Sequence, residues 1–165
     1  MKKKGFIGDY LIYIIMLFIL SIALLTTFYV VTTVNDAWQG TPNLPTESTR
    51  IMSRFTARFA SVWDNFYLFM VIGFAIVTII LAFAIRSHPV FAGLTIFFLI
   101  FLGIIAVFFA NAYYDIASIT PFAELTDDFS MMNWLAKRLP HIVVIFGVIF
   151  IIILFAKTKN QGLQI

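Results

Sequence analysis

Long runs of uncharged residues constrain this chain more than any other feature of its sequence. Tyr10–Val34, Phe66–Ile85 and Pro89–Tyr114 hold 25, 20 and 26 residues without Asp, Glu, Lys, Arg or His. A helix needs about 20 mostly apolar residues to cross a hydrocarbon core of about 30 Å, so each run predicts one membrane span. Ile142–Ala156 has only 15 residues. We therefore expect a fourth span that begins slightly earlier, where Pro140 starts or bends the helix.

These runs predict an all-α integral membrane protein that forms a single membrane domain over residues 1–165. We expect four transmembrane helices and two long outer loops that carry short amphipathic helices. Only residues 86–88 separate the second and third spans, so these spans form a tight antiparallel hairpin. The expected bounds are about 10–34, 66–85, 89–114 and 141–156 for the spans, and 35–65 and 115–140 for the outer loops.

Composition agrees with a bilayer as the solvent for this chain. Hydrophobic residues make up 62% of the sequence and charged residues 12%, against about 45–50% and about 25% in soluble domains. The absence of cysteine excludes disulfides and Cys-ligated metals. The net charge of +3 is too small to indicate specific binding of nucleic acid. The first apolar run is longer than that of a secretory signal peptide, so we expect it to be retained as a span.

The basic residues predict the orientation of the chain. With four spans, both termini lie on the same side of the membrane. Short cytoplasmic segments are enriched in Lys and Arg, and the termini and the 86–88 corner hold six basic residues within 21 residues. This side is therefore predicted to be inside, and the two long loops outside. The six residues are Lys2, Lys3, Lys4, Arg86, Lys157 and Lys159.

The two halves of the chain share a pattern that points to an internal duplication of a two-span unit. Each half contains a span, a long outer loop, another span and a short basic inner end. "TTVNDAW" (Thr32–Trp38) is similar to "FFANAYYD" (Phe108–Asp115), because each leaves a span with Asn and an aromatic residue. The alternative is that any two hairpins of apolar helices share such features.

The first outer loop contains a predicted amphipathic helix that starts near Thr46, which is a good N-cap residue. Arg50, Arg54 and Arg58 recur every four residues, so they form one row on this helix. The helix either lies on the membrane or continues into the second span as a single rod of about 40 residues, about 60 Å long. An apolar row beside the arginines consists of Ile51, Phe55, Phe59 and Val62.

The second outer loop is predicted to carry two short helices. Thr120, followed by a proline, caps the first, and Asp128 or Ser130 caps the second. Lys137 and Arg138 precede the fourth span, and we expect them to extend to the membrane interface. Aromatic residues near the predicted span boundaries are typical of an interfacial belt. These interface aromatics are Trp38, Trp63, Tyr113, Tyr114 and Trp134.

The spans lack the groups that catalysis or ion transport requires. No Asp, Glu, Lys, Arg or His lies in the middle of a predicted span, so there is no proton relay or gating charge to assign. His88 and His141 fall on opposite sides of the predicted membrane and cannot share a metal ion. We therefore expect no enzyme, no catalytic residue, no cofactor and no metal site.

Four segments of the chain resemble a known group of membrane proteins. They are "WDNFYLF" at the second span, "RSHPVF" at the corner, "NAYYD" at the exit of the third span and "NWLAKRLPHIVVIFGVI" into the fourth. They are similar to small four-span proteins of tailless viruses and phages whose icosahedral capsid encloses a membrane. The resemblance covers about Thr32–Lys157. It implies a structural virion protein that anchors or organises the internal bilayer beneath the capsid, and it carries over no functional residue.

The resemblance also implies partners for the outer basic residues. Membrane lipids and a capsid protein or other membrane proteins are expected, a homo-oligomer is left open, and no specific nucleic acid is expected. The expected location is the internal membrane of a virion, or the cytoplasmic membrane of the host. The predicted contacts with lipid or capsid are Arg50, Arg54, Arg58, Lys137 and Arg138.

Alternatives stay open for the three arginines and for the whole chain. The arginines bind lipid phosphates, dock an acidic partner such as a capsid shell or Asp127 and Asp128 of the second loop, or form a solvated helix face. The chain as a whole is alternatively a cellular four-span accessory subunit of a membrane complex, or a holin-like lysis protein. Long structured outer loops suit the holin-like role poorly.

Overall fold

A computed structural model describes residues 6–84 and 89–161. Within these residues the chain is 92% helical and contains no strand, so the all-α prediction is confirmed. Three helices are long and apolar enough to cross a bilayer, and a fourth span results if a bent pair of helices counts as one. The elements are α1 (Phe6–Gln39), α2 (Thr46–Ala84), α3 (Pro89–Ala117), α4 (Thr120–Ala123), the 3₁₀ turn η1 (Thr126–Phe129), α5 (Ser130–Lys137) and α6 (Leu139–Gln161).

The helices α1 and α2 form a long antiparallel hairpin with a defined register. The turn between them contains Asn43, whose φ of 69° is a left-handed conformation that Asn adopts more readily than most residues. Near the turn, the Gln39 amide donates a hydrogen bond to the Thr49 carbonyl at 3.0 Å. Much further along, the Ser21 hydroxyl donates to the Tyr67 hydroxyl at 3.0 Å. The two helices therefore stay side by side over most of their length.

The helix α2 is continuous and contains 39 residues, so it is about 58 Å long. No Gly or Pro interrupts it before Gly73, and of the two predicted alternatives the single rod is observed. The predicted outer segment 35–65 is accordingly helical except at 40–45, and its amphipathic part is not a short separate helix. Thr46 is the first helical residue rather than the N-cap, because the Pro45 carbonyl accepts the first hydrogen bonds.

A bend of 49° separates η1 and α5 from α6. Arg138 lies at the joint, where its N–H donates to the carbonyls of Trp134 and Leu135, both at 3.2 Å. The Arg138 carbonyl in turn accepts from the Ile142 N–H at 3.1 Å. Pro140 is the second residue of α6, a position where a missing N–H costs nothing. The prediction that Pro140 starts or bends this helix is therefore confirmed.

The helices α3 and α6 make the most extensive helix pair within the described residues. Gly147 lies against Leu99, since a Cβ at Gly147 would be 2.8 Å from Leu99 Cδ2. Ala106 and Ala110 of α3 are buried, and such small residues let helices approach closely. α4, η1 and α5 intervene between α3 and α6, whereas a short turn joins α1 to α2. The two halves are therefore not built alike, and the internal duplication stays a hypothesis.

The register of the hairpin shows how far α1 and α2 extend beyond Asp64. Asp64 is the last charged residue before the uncharged run of α2, and it lies about level with Leu24 of α1 in the register given by the hydrogen bonds above. The helix α2 begins 18 residues before Asp64, about 27 Å away at about 1.5 Å per residue. Residues 25–39 and 46–63 form the part of the hairpin beyond Asp64, which we name the outer arm.

Aromatic side chains of the second loop cover the base of the outer arm. The Phe28 ring stacks on Phe59 with centroids 5.7 Å apart, and it meets the Phe129 ring edge-on at 5.1 Å. The Tyr29 ring meets Phe122 at 5.8 Å. The apolar run of α1 continues into the arm, and these rings remove part of it from water. This burial explains why α4 and η1 fold against α1.

Several predictions fall on residues outside the part of the chain that the structure describes. They concern the tight corner at 86–88 and the basic residues Lys2, Lys3 and Lys4. The side chains of Lys157 and Lys159 also lie outside the description. Membrane insertion and the sidedness of the termini also stay predictions, because only the length and composition of the helices indicate the spans.

Candidate functional site

The arginine row (Arg50, Arg54 and Arg58) lies exposed on the outer arm. Arg50 pairs with Glu47 one helical turn away, with Nη2 and Oε2 2.7 Å apart. Both side chains are exposed, so this pair contributes little to stability. It is the only ion pair within the described residues, and Arg54 and Arg58 have no acidic partner there. The alternative in which the row docks on acidic residues of the second loop is therefore not observed.

The arginine row stands well outside the uncharged run of α2. Arg58, Arg54 and Arg50 lie 6, 10 and 14 residues beyond Asp64. These separations correspond to about 9, 15 and 21 Å along the helix axis. The headgroup layer of a bilayer is roughly 5–8 Å thick on each side. If the hydrocarbon core ends at Asp64, Arg54 and Arg50 would lie beyond the lipid headgroups.

An apolar row runs beside the arginines on the same helix. Ile51, Phe55 and Val62 are 59%, 52% and 61% exposed. Phe59 belongs to the same predicted row but turns inward onto Phe28. The outer arm thus presents basic and apolar surfaces side by side. Such a surface suits a protein partner, since protein interfaces combine an apolar centre with polar surroundings.

Lys137 and Arg138, the other two predicted contacts, lie at the joint between α5 and α6. The Lys137 ammonium stands 5.5 Å from the centre of the Tyr114 ring, and the Arg138 guanidinium stands 4.8 Å from the centre of the Trp134 ring. Tyr114 and Trp134 are themselves exposed. These four residues form one exposed patch, which we name the joint patch. An exposed cation–aromatic pair contributes about 0.5–1 kcal/mol.

The remaining interface aromatics occupy three different environments. Trp63 is half-buried and meets the Phe66 ring edge-on at 5.5 Å, next to Asp64 at the predicted boundary. Trp38 is exposed and lies near the tip of the outer arm, four residues beyond the predicted end of the first span at Val34. Tyr113 is only 1% exposed, so its ring faces other helices and is not on the outer surface where the belt interpretation requires it.

Asp64, which the sequence does not single out, caps a helix from a distant part of the chain. It is 7% exposed. Its carboxylate accepts hydrogen bonds from the N–H groups of Met131 at 2.9 Å and Met132 at 2.6 Å. The Ser130 hydroxyl donates to the same carboxylate at 3.5 Å. These groups begin α5, and Phe129 at its N-cap position offers no side-chain acceptor.

The cap from Asp64 corrects the predicted local caps. Asp128 and Ser130 make no capping hydrogen bond to α5, so the expectation that one of them caps this helix is wrong. The predicted cap Thr120 is also wrong, because Thr120 is the first helical residue of α4 and Ile119 occupies its N-cap position. A carboxylate suits the start of α5 because the N-terminus of a helix carries partial positive charge. Two features of the sequence could have indicated this cap, although only indirectly. Asp64 is a lone acid at the start of an uncharged run, and the second-loop helix α5 has Phe129 at its N-cap position.

Further into the bundle than Asp64, hydroxyl groups form hydrogen bonds between α1 and α2. The Ser21 Oγ lies 2.8 Å from the Leu17 carbonyl oxygen and 3.0 Å from the Tyr67 hydroxyl, so its single proton is shared between these two acceptors. The Tyr13 hydroxyl donates to the Met70 carbonyl. Ser21 and Tyr67 are fully buried. These bonds satisfy polar groups between α1 and α2, and they hold the register of the hairpin.

The described residues contain no arrangement that indicates a reaction centre. No three His, Cys, Asp or Glu side chains among them are grouped to hold a metal ion. A cavity between α1, α2, α5 and α6 has a volume of about 10 Å³ and an almost wholly apolar lining. That volume is about what one water molecule needs, so the cavity is too small for a substrate.

The chain matches no protein-family model, and no curated protein or solved structure is significantly similar to it.

Proposed function

We propose that this chain is a structural membrane protein that fastens a bilayer to an acidic protein surface. The observation that supports this proposal is the arginine row on a straight, continuous helix that extends beyond the predicted bilayer boundary. A helix with no break at that boundary transmits a load from its outer end to its membrane-spanning end. Among the residues that the structure describes, the arginines have no acidic partner except in the exposed pair of Arg50 with Glu47. They are therefore available to a partner.

An acidic protein explains the arginine row better than lipid or water does. Arg54 and Arg50 stand about 15 and 21 Å beyond Asp64, outside the reach of most headgroup phosphates. A merely solvated helix face does not account for the exposed apolar row next to the arginines, in which Ile51 and Phe55 are more than half exposed. A partner that covers both rows gains from charge complementarity and from apolar burial.

The setting we propose is a virion whose capsid encloses a membrane, with the capsid shell as the acidic partner. This part of the proposal depends on the resemblance carried by "WDNFYLF", "NAYYD" and "NWLAKRLPHIVVIFGVI". A cellular accessory subunit would use the same arm on a different partner. A holin-like pore would need a polar stripe along its spans, and the uncharged runs offer none.

Mass spectrometry of gradient-purified virus particles from the source tests the setting. We expect the chain to be abundant in particles and to leave with the lipid fraction after detergent extraction. Absence from particles, together with presence in host membranes, would eliminate the capsid role. A host-complex subunit or a lysis protein would then be pursued.

A matched pair of variants tests the arginine row itself. Arg54→Gln with Arg58→Gln removes two positive charges from the row, whereas Ser118→Glu with Ala123→Glu lowers the net charge equally at exposed positions of the second loop. We expect the first variant to reduce the copies retained per particle roughly fivefold, from about 0.5 kcal/mol for each charge contact. The second should retain substantially more. Equal retention by the two variants would exclude a specific role for the row.

A further inference from the structure

The joint patch lies deeper than the arginine row, at the edge of the uncharged runs. Leu135 and Leu139, on either side of the joint, line one cavity together with Tyr67 and Val71 of α2. Tyr67 and Val71 lie 3 and 7 residues further into the apolar run than Asp64. The backbone of the joint is therefore about 5–10 Å inward of the boundary that Asp64 marks.

The cations of the joint patch extend from this depth toward the boundary. Lys137 reaches the ring of Tyr114, which is the last residue of the third uncharged run, directly before Asp115. Arg138 lies along the ring of Trp134, one turn back on α5. Long basic side chains near the end of a span extend in this way to keep the charge at the interface.

No described carboxylate pairs with these two charges. Within the described residues, neither Lys137 nor Arg138 has a carboxylate within 4.0 Å. A cation held against low-dielectric surroundings without a counter-charge is costly. The N-terminus of α6 begins at the same joint and adds partial positive charge. The anion that is abundant at this depth in a bilayer is the phosphate of a lipid headgroup.

From these observations we infer that the joint patch binds the phosphate of an anionic phospholipid. Lys137 and Arg138 provide the charge, and the exposed rings of Trp134 and Tyr114 hold the two cations at the level of the headgroups. The inference depends on the membrane insertion included in the proposed function, but not on the capsid role. It divides the five predicted contacts into two classes. The joint patch contacts lipid, and the arginine row contacts protein.

Trp134 provides a local probe of the bound lipid. The full chain with Trp38→Phe and Trp63→Phe retains Trp134 as its single tryptophan. It is reconstituted into phosphatidylcholine vesicles that contain a small fixed mole fraction of brominated lipid, either phosphatidylglycerol or phosphatidylcholine. Bromine quenches tryptophan fluorescence at short range, so the ratio of quenching by the two lipids measures enrichment of the anionic lipid at the patch.

We expect brominated phosphatidylglycerol at the patch to exceed its bulk mole fraction at least about fivefold, the effect of roughly one basic residue at an anionic surface. Lys137→Gln with Arg138→Gln should abolish the preference while leaving quenching by brominated phosphatidylcholine unchanged, which shows that Trp134 keeps its depth. Arg50→Gln with Arg54→Gln serves as the control and should retain the full preference.

Three other results would overturn the inference in different ways. Equal quenching by the two brominated lipids in the single-tryptophan chain would exclude selective binding of anionic lipid. Loss of the preference on addition of inorganic phosphate would identify a site for free phosphate rather than for lipid. Absence of quenching by either lipid would show that the joint patch is not at a bilayer, and would contradict the proposed membrane insertion as well. Failure of the capsid role alone would change none of these measurements.

Discussion

Replacement of Asp64 by alanine is expected to detach α5 from α2. The substitution removes the acceptor for the N–H groups of Met131 and Met132 and leaves both at the start of a helix that has no local cap. A hydrogen bond to a charged group contributes about 1.5–3 kcal/mol, and loss of a helix cap costs about 0.5–2 kcal/mol. We therefore expect Asp64→Ala to lower the free energy of unfolding by about 2–4 kcal/mol. Asp64→Asn keeps one acceptor oxygen and should cost roughly half as much.

Two measurements on the purified chain in mixed micelles check the Asp64 prediction. The free energy of unfolding comes from titration with a denaturing detergent. Hydrogen exchange at the Met131 and Met132 amides reports the cap directly, and we expect both to exchange at least tenfold faster in Asp64→Ala, since about 1.4 kcal/mol corresponds to a factor of ten. Asp127→Ala is the control, because Asp127 is an exposed acid in η1 and should change stability by less than about 0.5 kcal/mol.

The capping role of Asp64 would be refuted by either of two results. One is an Asp64→Ala chain whose unfolding free energy stays as close to the wild type as that of Asp127→Ala. The other is a destabilised chain in which exchange at Met131 and Met132 is unchanged. In the second case Asp64 would stabilise the protein through some contact other than the start of α5.

Three further substitutions and one control, Gly103→Leu, probe the packing of the bundle by the same unfolding assay. Gly147→Leu places a side chain where α3 approaches closely and should cost about 1–3 kcal/mol, whereas Gly103→Leu enters open space and should cost less than about 0.5 kcal/mol. Tyr67→Phe removes the hydroxyl that accepts from Ser21, and a loss of about 0.5–1.5 kcal/mol is expected. Phe129→Ala empties a fully buried site at the base of the outer arm and should cost about 3–5 kcal/mol. Gly147→Leu and Gly103→Leu of equal stability would contradict the close approach of α3 and α6.

The apolar pattern predicts the helices because it is local. An uncharged run of the length of Phe66–Ile85 has one regular structure open to it in a bilayer, and Pro140 at the start of α6 follows from the chemistry of a single residue. The continuity of α2 was left open because nothing in the sequence distinguishes a helix that ends at an interface from one that passes through it. The absence of Gly and Pro before Gly73 permitted the rod but did not require it.

Contacts between distant segments were not predictable from the sequence. Asp64 and Met132 are 68 residues apart, and no local pattern connects an acid in one loop to the uncapped start of a helix in another. Tyr113 illustrates the same limit. Its position at the end of a run favours an interfacial location, but the packing of α3 turns the ring inward, whereas the adjacent Tyr114 faces outward. One residue of rotation on a helix decides between the two environments.

Asp64 has a position that connects the two proposed contact surfaces mechanically. It lies on α2 between the arginine row and the apolar run, and its carboxylate holds the start of α5, whose other end is the joint patch. A load applied at the arginines therefore reaches the lipid through α2 itself and, across the Asp64 cap, through α5. Loss of the cap should leave binding at each surface intact, because neither surface contains Asp64, but it should uncouple them. Asp64→Asn is consequently expected to preserve both the retention in particles and the lipid preference at Trp134, while weakening the proposed mechanical link between a capsid and the bilayer. Osmotic shock that separates capsid from membrane more readily in this variant than in Asp127→Ala would reveal that link, and equal separation would exclude it.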